Sequence, residues 1–324
     1  MAATVRFTEE PLEWVFHWLE RRCARTPIHG TFDFQVLNPD LFAGCYGGQR
    51  VYPNGIPCIH RPYRTWFDLA EVFHCRFLTP LPESGLWVTL RFQLLDVSNS
   101  WQHHDGGEDR EKYGRRSAFA RVFKTEEPHF LRDLSEALAH RQWAEAATVL
   151  DLGVNRGDEL SVLRRVVGPA RFGRLHVIGV DHSPSALALA RRRFPRGSFY
   201  CEDLNHWNWS RLPPIDLLLS IGTLQSPGFD GKGLFTHLVK AKLKRAGAVI
   251  LGFPNGRYAD GELNYGARSK NARRSDLSLI LKDLYFYKRF LEKRGFRVSL
   301  RGKYYLFLSA FRQPAVPGGA EAPE

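Results

Sequence analysis

From Thr148 to Phe253, short apolar runs alternate with helix-period segments, and this rhythm constrains the fold more than any other feature of the chain. The apolar runs are Thr148 to Leu152, His176 to Val180, Ser198 to Cys201, Ile215 to Ile221 and Ala248 to Phe253, with helical segments at 159–167, 185–194 and 234–243. Parallel strands joined by right-handed crossovers need a helix between them. The pattern therefore predicts a doubly wound α/β domain, a mostly parallel sheet with helices on both faces. A longer helix at 277–294 then leads to two nearly contiguous strands, 297–302 and 304–311, which read as a C-terminal antiparallel hairpin.

The first 147 residues follow no such rhythm. A helix is expected from Pro11 to Arg25 with Trp14, Trp18 and Leu19 on one face, followed by turn signals at Asn38-Pro39, Gly47-Gly48 and Asn54-Gly55. Leu86 to Leu95 alternates as a strand does. The polar segment from Ser98 to Arg116, which holds His103, His104, Asp105, Gly106 and Gly107, reads as an exposed loop of the kind that covers or lines a site. A helix over 128–145 leads onward. The expected division is an added N-terminal α+β accessory region with a lid loop (1–147), the α/β domain (148–312) and a disordered tail (313–324) rich in Pro, Gly, Ala and Glu.

Composition narrows the function classes. No stretch approaches the roughly 18 unbroken apolar residues of a membrane helix. Met1 to Glu10 lack the basic-then-apolar order of a signal peptide, so a cytoplasmic protein with no membrane partner is expected. Five cysteines, Cys23, Cys45, Cys58, Cys75 and Cys201, contain no CxxC pair and imply no disulfide framework. Cys58 and His60 with His74 and Cys75 match no zinc spacing, and no metal is expected. The formal net charge is +12 and the isoelectric point about 9.6. From Asp230 to Arg312, about nineteen Lys or Arg stand against about six acids, so this stretch accounts for the whole excess. Such a stretch points to an anionic partner, with simple solubility as the plainer alternative.

An open α/β sheet binds ligands at the carboxyl ends of its strands. The first strand leaves as Asp151-Leu152-Gly153-Val154-Asn155-Arg156-Gly157. Gly153 permits a tight turn beside a ligand, Gly157 lets a helix start close to the sheet, and Asp151 offers a carboxylate to a cationic amine. The second strand ends in Asp181 and His182, where an acid can accept from both ribose hydroxyls of an adenosine. The third ends in Glu202-Asp203-Leu204, and Asp203 can accept from the exocyclic amine of adenine. The fourth leaves as Ser220-Ile221-Gly222-Thr223-Leu224, whose carbonyls and apolar side chains can line the rest of such a ligand. Asp181 as a helix N-cap and Asp203 as a surface acid near Trp207 are the structural alternatives.

The run from Val149 to Phe311, about half of the chain, resembles the class I, Rossmann-like S-adenosylmethionine-dependent methyltransferases. The residues that carry the resemblance are VLDLGVNRG, VIGVDHSP, FYCEDL and DLLLSIGTLQ in order, with the terminal hairpin in place of the sixth parallel strand of a dehydrogenase. The resemblance implies S-adenosylmethionine as cofactor. It implies Asp151, Gly153, Asn155 and Gly157 around the amino-acid end, Asp181 and His182 at the ribose, and Asp203 and Leu204 at the adenine. Ser220, Ile221 and Gly222 would line the methionine portion. Asn155 departs from the commonest form of the loop, which has glycine there; Asn tolerates left-handed backbone angles. A nicotinamide dehydrogenase, the other reading of such a loop, calls for G-x-G-x-x-G, and only Gly153 and Gly157 are present.

Methyl transfer from a sulfonium needs alignment and at most a base, so the acceptor side is where this sequence is distinctive. Phe253 to Glu262 leaves the fifth strand at the same edge as the cofactor loop. Asn255 and Tyr258 are candidate catalytic groups there. Arg257, Tyr265, Arg268, Lys270, Arg273 and Arg274 are candidate acceptor-binding groups, for stacking on a base and holding phosphates. A solvated insertion with an ordinary turn at Pro254 and Gly256 is the alternative. Upstream, Tyr113 is a candidate to fold over the cofactor, and His103 or His104 to serve as a base. Three functions remain open: a methyltransferase acting on RNA, tRNA included; a small-molecule methyltransferase whose N-terminal region closes the pocket; and a non-catalytic cofactor-binding subunit. The acceptor atom and the oligomeric state are not legible in the sequence.

Overall fold

A computed structural model describes residues 4–83, 85–99, 114–115, 117, 119–139, 148–226, 228–266 and 277–312. The chain divides into two compact units, residues 1–104 with 258–264, and residues 105–257 with 265–324.

The elements of the first unit run β1 (Arg6–Phe7), α1 (Leu12–Arg25), β2 (Thr31–Leu37), β3 (Arg50–Val51), β4 (Cys58–Ile59), α2 (Tyr63–Val72), β5 (Cys75–Pro82) and β6 (Trp87–Leu94). Four of these strands form a sheet in the order β1-β2-β6-β5, in which β1 is parallel to β2 and β6 is antiparallel to both its neighbours. Alternation along β2 turns Phe32, Phe34 and Val36 to one face, where Val15 and Leu19 of α1 and Trp66 and Leu69 of α2 pack in the same core. Phe34 and Phe92 meet edge to face with ring centroids 5.1 Å apart. Burying each such side chain contributes about 1.5–3 kcal/mol, which gives this short sheet a core of its own. Trp14, expected on the covered face of α1, is 67% exposed. Val15 and Leu19, four apart and so on one stripe, take that place.

The chain continues through α3 (Pro128–Leu138), β7 (Thr148–Leu152), α4 (Asp158–Val167), α5 (Pro169–Phe172), β8 (His176–Asp181), α6 (Pro184–Arg193), β9 (Ser198–Cys201), β10 (Ile215–Ile221) and α7 (Gly231–Ala241). It ends in β11 (Leu243–Pro254), β12 (Gly256–Ala259), β13 (Glu262–Tyr265), α8 (Ser278–Glu292), β14 (Phe296–Gly302) and β15 (Tyr305–Arg312). Seven strands make one sheet in the order β14-β15-β11-β10-β7-β8-β9. Every neighbouring pair is parallel except those of β15, which runs antiparallel to β11 and β14. Leu150, Leu152, Leu218 and Val249 share a core with Phe235 of α7 and Leu284 of α8. Val149, Leu217 and Ile250 share the other with Phe130 of α3, Leu160 of α4 and Leu187 of α6. Helices therefore cover both faces, the doubly wound arrangement that the alternation predicts.

The helix expected over 128–145 closes at Leu138 with Ala139 as its cap, and residues 140–147 lie outside the described residues. Because Phe130, Leu134 and Leu138 of α3 are part of the large core, the second unit takes in chain ahead of residue 148.

The segment after β11, to which the sequence reading gave no strands, pairs β12 with β13. Asp260 and Gly261 form the turn with φ of 47° and 87°, the left-handed angles of a tight hairpin that Asp-Gly accepts readily. The Asp260 carboxylate accepts from Asn99 Nδ2 at 2.8 Å and from the Asp96 N–H at 3.3 Å, and meets His29 Nε2 at 2.7 Å. Arg76 donates to the Asp260 carbonyl at 2.9 Å and to Glu262 Oε1 at 2.7 Å. Residues 258–264 thus group with the first unit. No helix among the described residues is long and apolar enough to cross a membrane.

Candidate cofactor site

Register brings the carboxyl ends of β8, β7 and β10 side by side in the second unit. The chain leaving β7 turns at Gly153 with φ +72°, and a Cβ there would lie 2.0 Å from Thr223 Oγ1, which itself donates to the Leu152 carbonyl at 3.0 Å. Only glycine meets both demands. Asn155 follows with φ 45°. Gly157, with φ 78°, is the N-cap of α4, and a Cβ there would lie 2.7 Å from the Phe194 ring.

Asp181, at the end of β8, is 5% exposed. Its carboxylate accepts from the Asn155 N–H at 2.8 Å and the Ser183 N–H at 2.9 Å, one bond on each oxygen. A carboxylate oxygen has two acceptor positions, so both oxygens keep one for a ligand. Ser183, rather than Asp181, caps α6 by accepting from the Ala186 N–H at 3.3 Å. His182, with its side chain 46% exposed, holds Nδ1 3.8 Å from Asp181 Oδ1.

Asp151 is 1% exposed, and its Oδ2 has no hydrogen-bond partner among the described residues. Burial pushes this carboxyl well above the ordinary carboxylate range; Glu159 and Asp181 push it further, and Lys124 opposes them. Glu159, in the first turn of α4 and also buried, is raised chiefly by burial. Lys124 opens a 3-10 turn, Lys124–Glu126, and its ammonium hydrogen-bonds the Tyr305 side chain. Burial works against that charge, but Tyr305 and Glu159 outweigh it and hold the ammonium above its ordinary range. Asp158 is satisfied separately, by Arg156 Nε at 2.6 Å and Arg193 Nη1 at 2.7 Å.

At the end of β10, Ser220 Oγ is buried without a partner among the described residues, and Ile221 is buried beside it. Gly222 has φ +78° and donates its N–H to the Gly252 carbonyl at 2.8 Å. A Cβ on Gly222 would lie 3.0 Å from Tyr305 Oη and 3.7 Å from Lys124 Nζ, which places both groups over this strand end. Asp203 accepts from the Asn205 N–H at 2.8 Å and meets His206 Nδ1 at 3.3 Å. These bonds, the Asn205 N–H first, hold it below the ordinary carboxylate range. Leu204 packs against the α7–α8 core, and its carbonyl accepts from Trp209 Nε1 at 3.3 Å.

Asn255 follows β11 and is 1% exposed. Its N–H donates to the Tyr304 carbonyl and its Nδ2 to the Lys303 carbonyl, both at 2.8 Å, while Oδ1 has no partner among the described residues. Arg257 and Tyr265 belong to the second unit and Tyr258 to the first. Tyr113, His103, His104, Arg268, Lys270, Arg273 and Arg274 lie outside the described residues. Lys124, Glu159 and Tyr305 have no place in the sequence reading. Tyr305 carried a usable signal, since the first residue of an antiparallel strand lies at the edge where its parallel neighbours end.

No family model matches the chain. A trans-aconitate 2-methyltransferase of Variovorax paradoxus (strain S110) is 31% identical over 136 residues, 42% of this chain and 49% of that protein. One of Yersinia pseudotuberculosis is 29% identical over 104 residues, 32% of this chain and 38% of that protein. The chain thus spans less than half the length of the curated relatives it matches. Among solved structures, the methyltransferase domain of bacterial CtHen1-C is similar with a TM-score of 0.41 and 18% identity, covering 57% of this chain and 98% of that one. The order of the large sheet, with β15 reversed between β11 and β14, carries the assignment. The chain has the class I, Rossmann-like methyltransferase fold.

The cofactor that a class I methyltransferase fold implies joins an amino-acid end to an adenosine, and the residues present fit it. The buried, unpartnered Asp151 oxygen suits an ammonium. The turn at Gly153 lets backbone approach closely, and the free acceptor positions of Asp181 suit a pair of hydroxyls.

Proposed function

We propose that this protein transfers a methyl group from S-adenosylmethionine to an anionic acceptor, with RNA as the acceptor its charge supports best. The observation that carries the methyltransferase reading is the Asp151 oxygen, buried and unpartnered beside an acid, Asp181, fixed by the loop's own N–H. S-adenosylmethionine supplies a methyl group on a positively charged sulfur, already activated for displacement. The work left to the chain is binding and alignment. Asp151 accepts from the ammonium, Asp181 with His182 beside it from the ribose, and Asp203 with Leu204 flanks the adenine. Gly153, Asn155 and Gly157 shape the loop, and Ser220, Ile221 and Gly222 wall the reacting edge against water. Asn255 offers its unpartnered Oδ1 to an acceptor N–H or O–H.

RNA as acceptor rests on the basic surplus between Asp230 and Arg312. Part of that surplus is spent internally: Lys232 pairs with Asp283 at 2.8 Å, Lys244 with Asp216 at 2.8 Å and Arg301 with Glu136 at 2.5 Å. Phosphate binding is assigned to Arg257, Arg268, Lys270, Arg273 and Arg274 and stacking to Tyr265 on the sequence pattern alone, with Arg268, Lys270, Arg273 and Arg274 outside the described residues. A small polycarboxylate is the second reading, favoured by the trans-aconitate relatives. Methyl-labelled S-adenosylmethionine offered with cellular RNA and with trans-aconitate separates the two. Label in RNA that falls steeply with added salt supports the first, because phosphate contacts release counterions. Label in the acid at any salt supports the second, and label in neither overturns both.

A further inference from the structure

An α-amino acid carries its ammonium and carboxylate on one carbon, so a site that receives one must receive the other close by. The fold provides an evident place for the ammonium at Asp151. The place for the carboxylate is harder to see, because three acidic side chains, Asp151 of β7 and Asp158 and Glu159 of α4, lie in this part of the fold. A carboxylate arriving there needs a cation of its own.

Among the described residues, three cations bear on this corner. Arg156 and Arg193 are both spent on Asp158, at 2.6 Å and 2.7 Å, and Arg156 also donates to the Ala120 and Val122 carbonyls at 2.6 Å and 3.0 Å. Lys124 is different. Its Nζ lies over the end of β10, 3.7 Å from where a Gly222 Cβ would stand, and it hydrogen-bonds a phenol whose Oη is 3.0 Å from the same point. The absence of a Cβ at Gly222 lets both groups approach this strand end closely. An ammonium and a hydroxyl side by side over a strand end make a two-point receptor for a carboxylate.

We propose that Lys124, with Tyr305 beside it, binds the carboxylate of the cofactor's amino-acid end while Asp151 takes the neighbouring ammonium, an assignment that rests on the methyltransferase reading. The resulting charges alternate: Asp151 against the ligand ammonium and Lys124 against the ligand carboxylate, with Glu159 favouring the charged form of Lys124. The same pair would suit a carboxylate on an acceptor, so the test must separate the two sources.

The probes are S-adenosylhomocysteine, which has the amino-acid end, and 5′-methylthioadenosine, which shares the thioether and adenosine but lacks it. Calorimetric titration of each into the wild type, Lys124→Met and Tyr305→Phe reads the contribution of the carboxylate. Lys124→Met is expected to weaken S-adenosylhomocysteine by about 10–100-fold, and Tyr305→Phe by about 3–10-fold, the usual scale for hydrogen bonds to a charged group. Methylthioadenosine should stay within about twofold in both variants. The ratio of the two affinities is independent of the folded fraction, so a merely destabilised variant does not imitate the result. Unchanged S-adenosylhomocysteine affinity in Lys124→Met overturns the proposal and leaves the pair to an acceptor's acid group. Equal losses for both probes also overturn it. Failure of the wild type to bind S-adenosylhomocysteine at all overturns the methyltransferase reading first.

Discussion

The Asn155 N–H donates to Asp181 Oδ2 at 2.8 Å, so the loop leaving β7 and the acid ending β8 form one hydrogen-bonded unit. The Ser183 N–H fixes the other oxygen, and Ser183 in turn caps α6. The carboxylate is held from two sides before any ligand arrives, the preorganisation that a binding site needs.

Asp181→Asn replaces one acceptor oxygen with an N–H donor that must face a backbone N–H. One of the two bonds is lost and a like pair of donors is set together. Stability should fall by about 1–3 kcal/mol, measured by urea unfolding with an unchanged m-value.

Gly153→Ala combines a φ of +72° with a Cβ placed 2.0 Å from Thr223 Oγ1. The expected loss is about 2–4 kcal/mol. Adding Thr223→Ala removes the clashing oxygen and should restore part of it, leaving about 1 kcal/mol of left-handed backbone strain. Equal stability of the single and double variants would show that the loop shifts to avoid the threonine.

Asp151 is expected to oppose folding at neutral pH. Its carboxyl pKa in the folded chain lies well above the unfolded value of 3.8, because burial, Glu159 and Asp181 disfavour the charge and Lys124 only partly offsets them. The folded state holds the proton more tightly, so the contribution is fully present below that value and is lost as pH rises through the folded pKa. Asp151→Asn should therefore be more stable than the wild type near pH 8, on the order of 1–3 kcal/mol, with a flatter pH profile. It should also lose cofactor binding. Thermal unfolding across pH checks the first effect and calorimetry the second.

Asp260 carries the opposite sign. Burial opposes its charge, but Asn99, the Asp96 N–H and His29 outweigh that and hold the carboxyl below 3.8. Its contribution is present above the unfolded value and lost as pH falls through the folded one. Asp260→Ala should cost about 1–2 kcal/mol and speed amide exchange across 256–265 selectively. Uniformly faster exchange throughout the chain would contradict a local anchoring role.

The strands and helices of the large sheet were legible because period-2 and period-3.6 patterns are local, and the acids at the ends of β7, β8 and β9 follow from the sheet order. The β12–β13 hairpin was not read, although Asp260-Gly261 is a strong turn signal, because the apolar alternation on either side of it is weak. Trp14 shares a helical stripe with Trp18 by spacing, but the covered stripe of α1 is centred on Val15 and Leu19, one residue further round. Lys124 was invisible for a different reason: its role depends on Gly222 and Tyr305, which only the folded sheet brings to the same strand end. Local pattern carries no record of such a meeting.

The most direct measurement is calorimetric titration of S-adenosylhomocysteine into the wild type and into Asp181→Ala. Micromolar one-to-one binding by the wild type, lost in the variant while its unfolding remains cooperative, is the predicted result. No binding by the wild type, or equal binding by both proteins, would contradict the assignment of a cofactor site to the ends of β7 and β8.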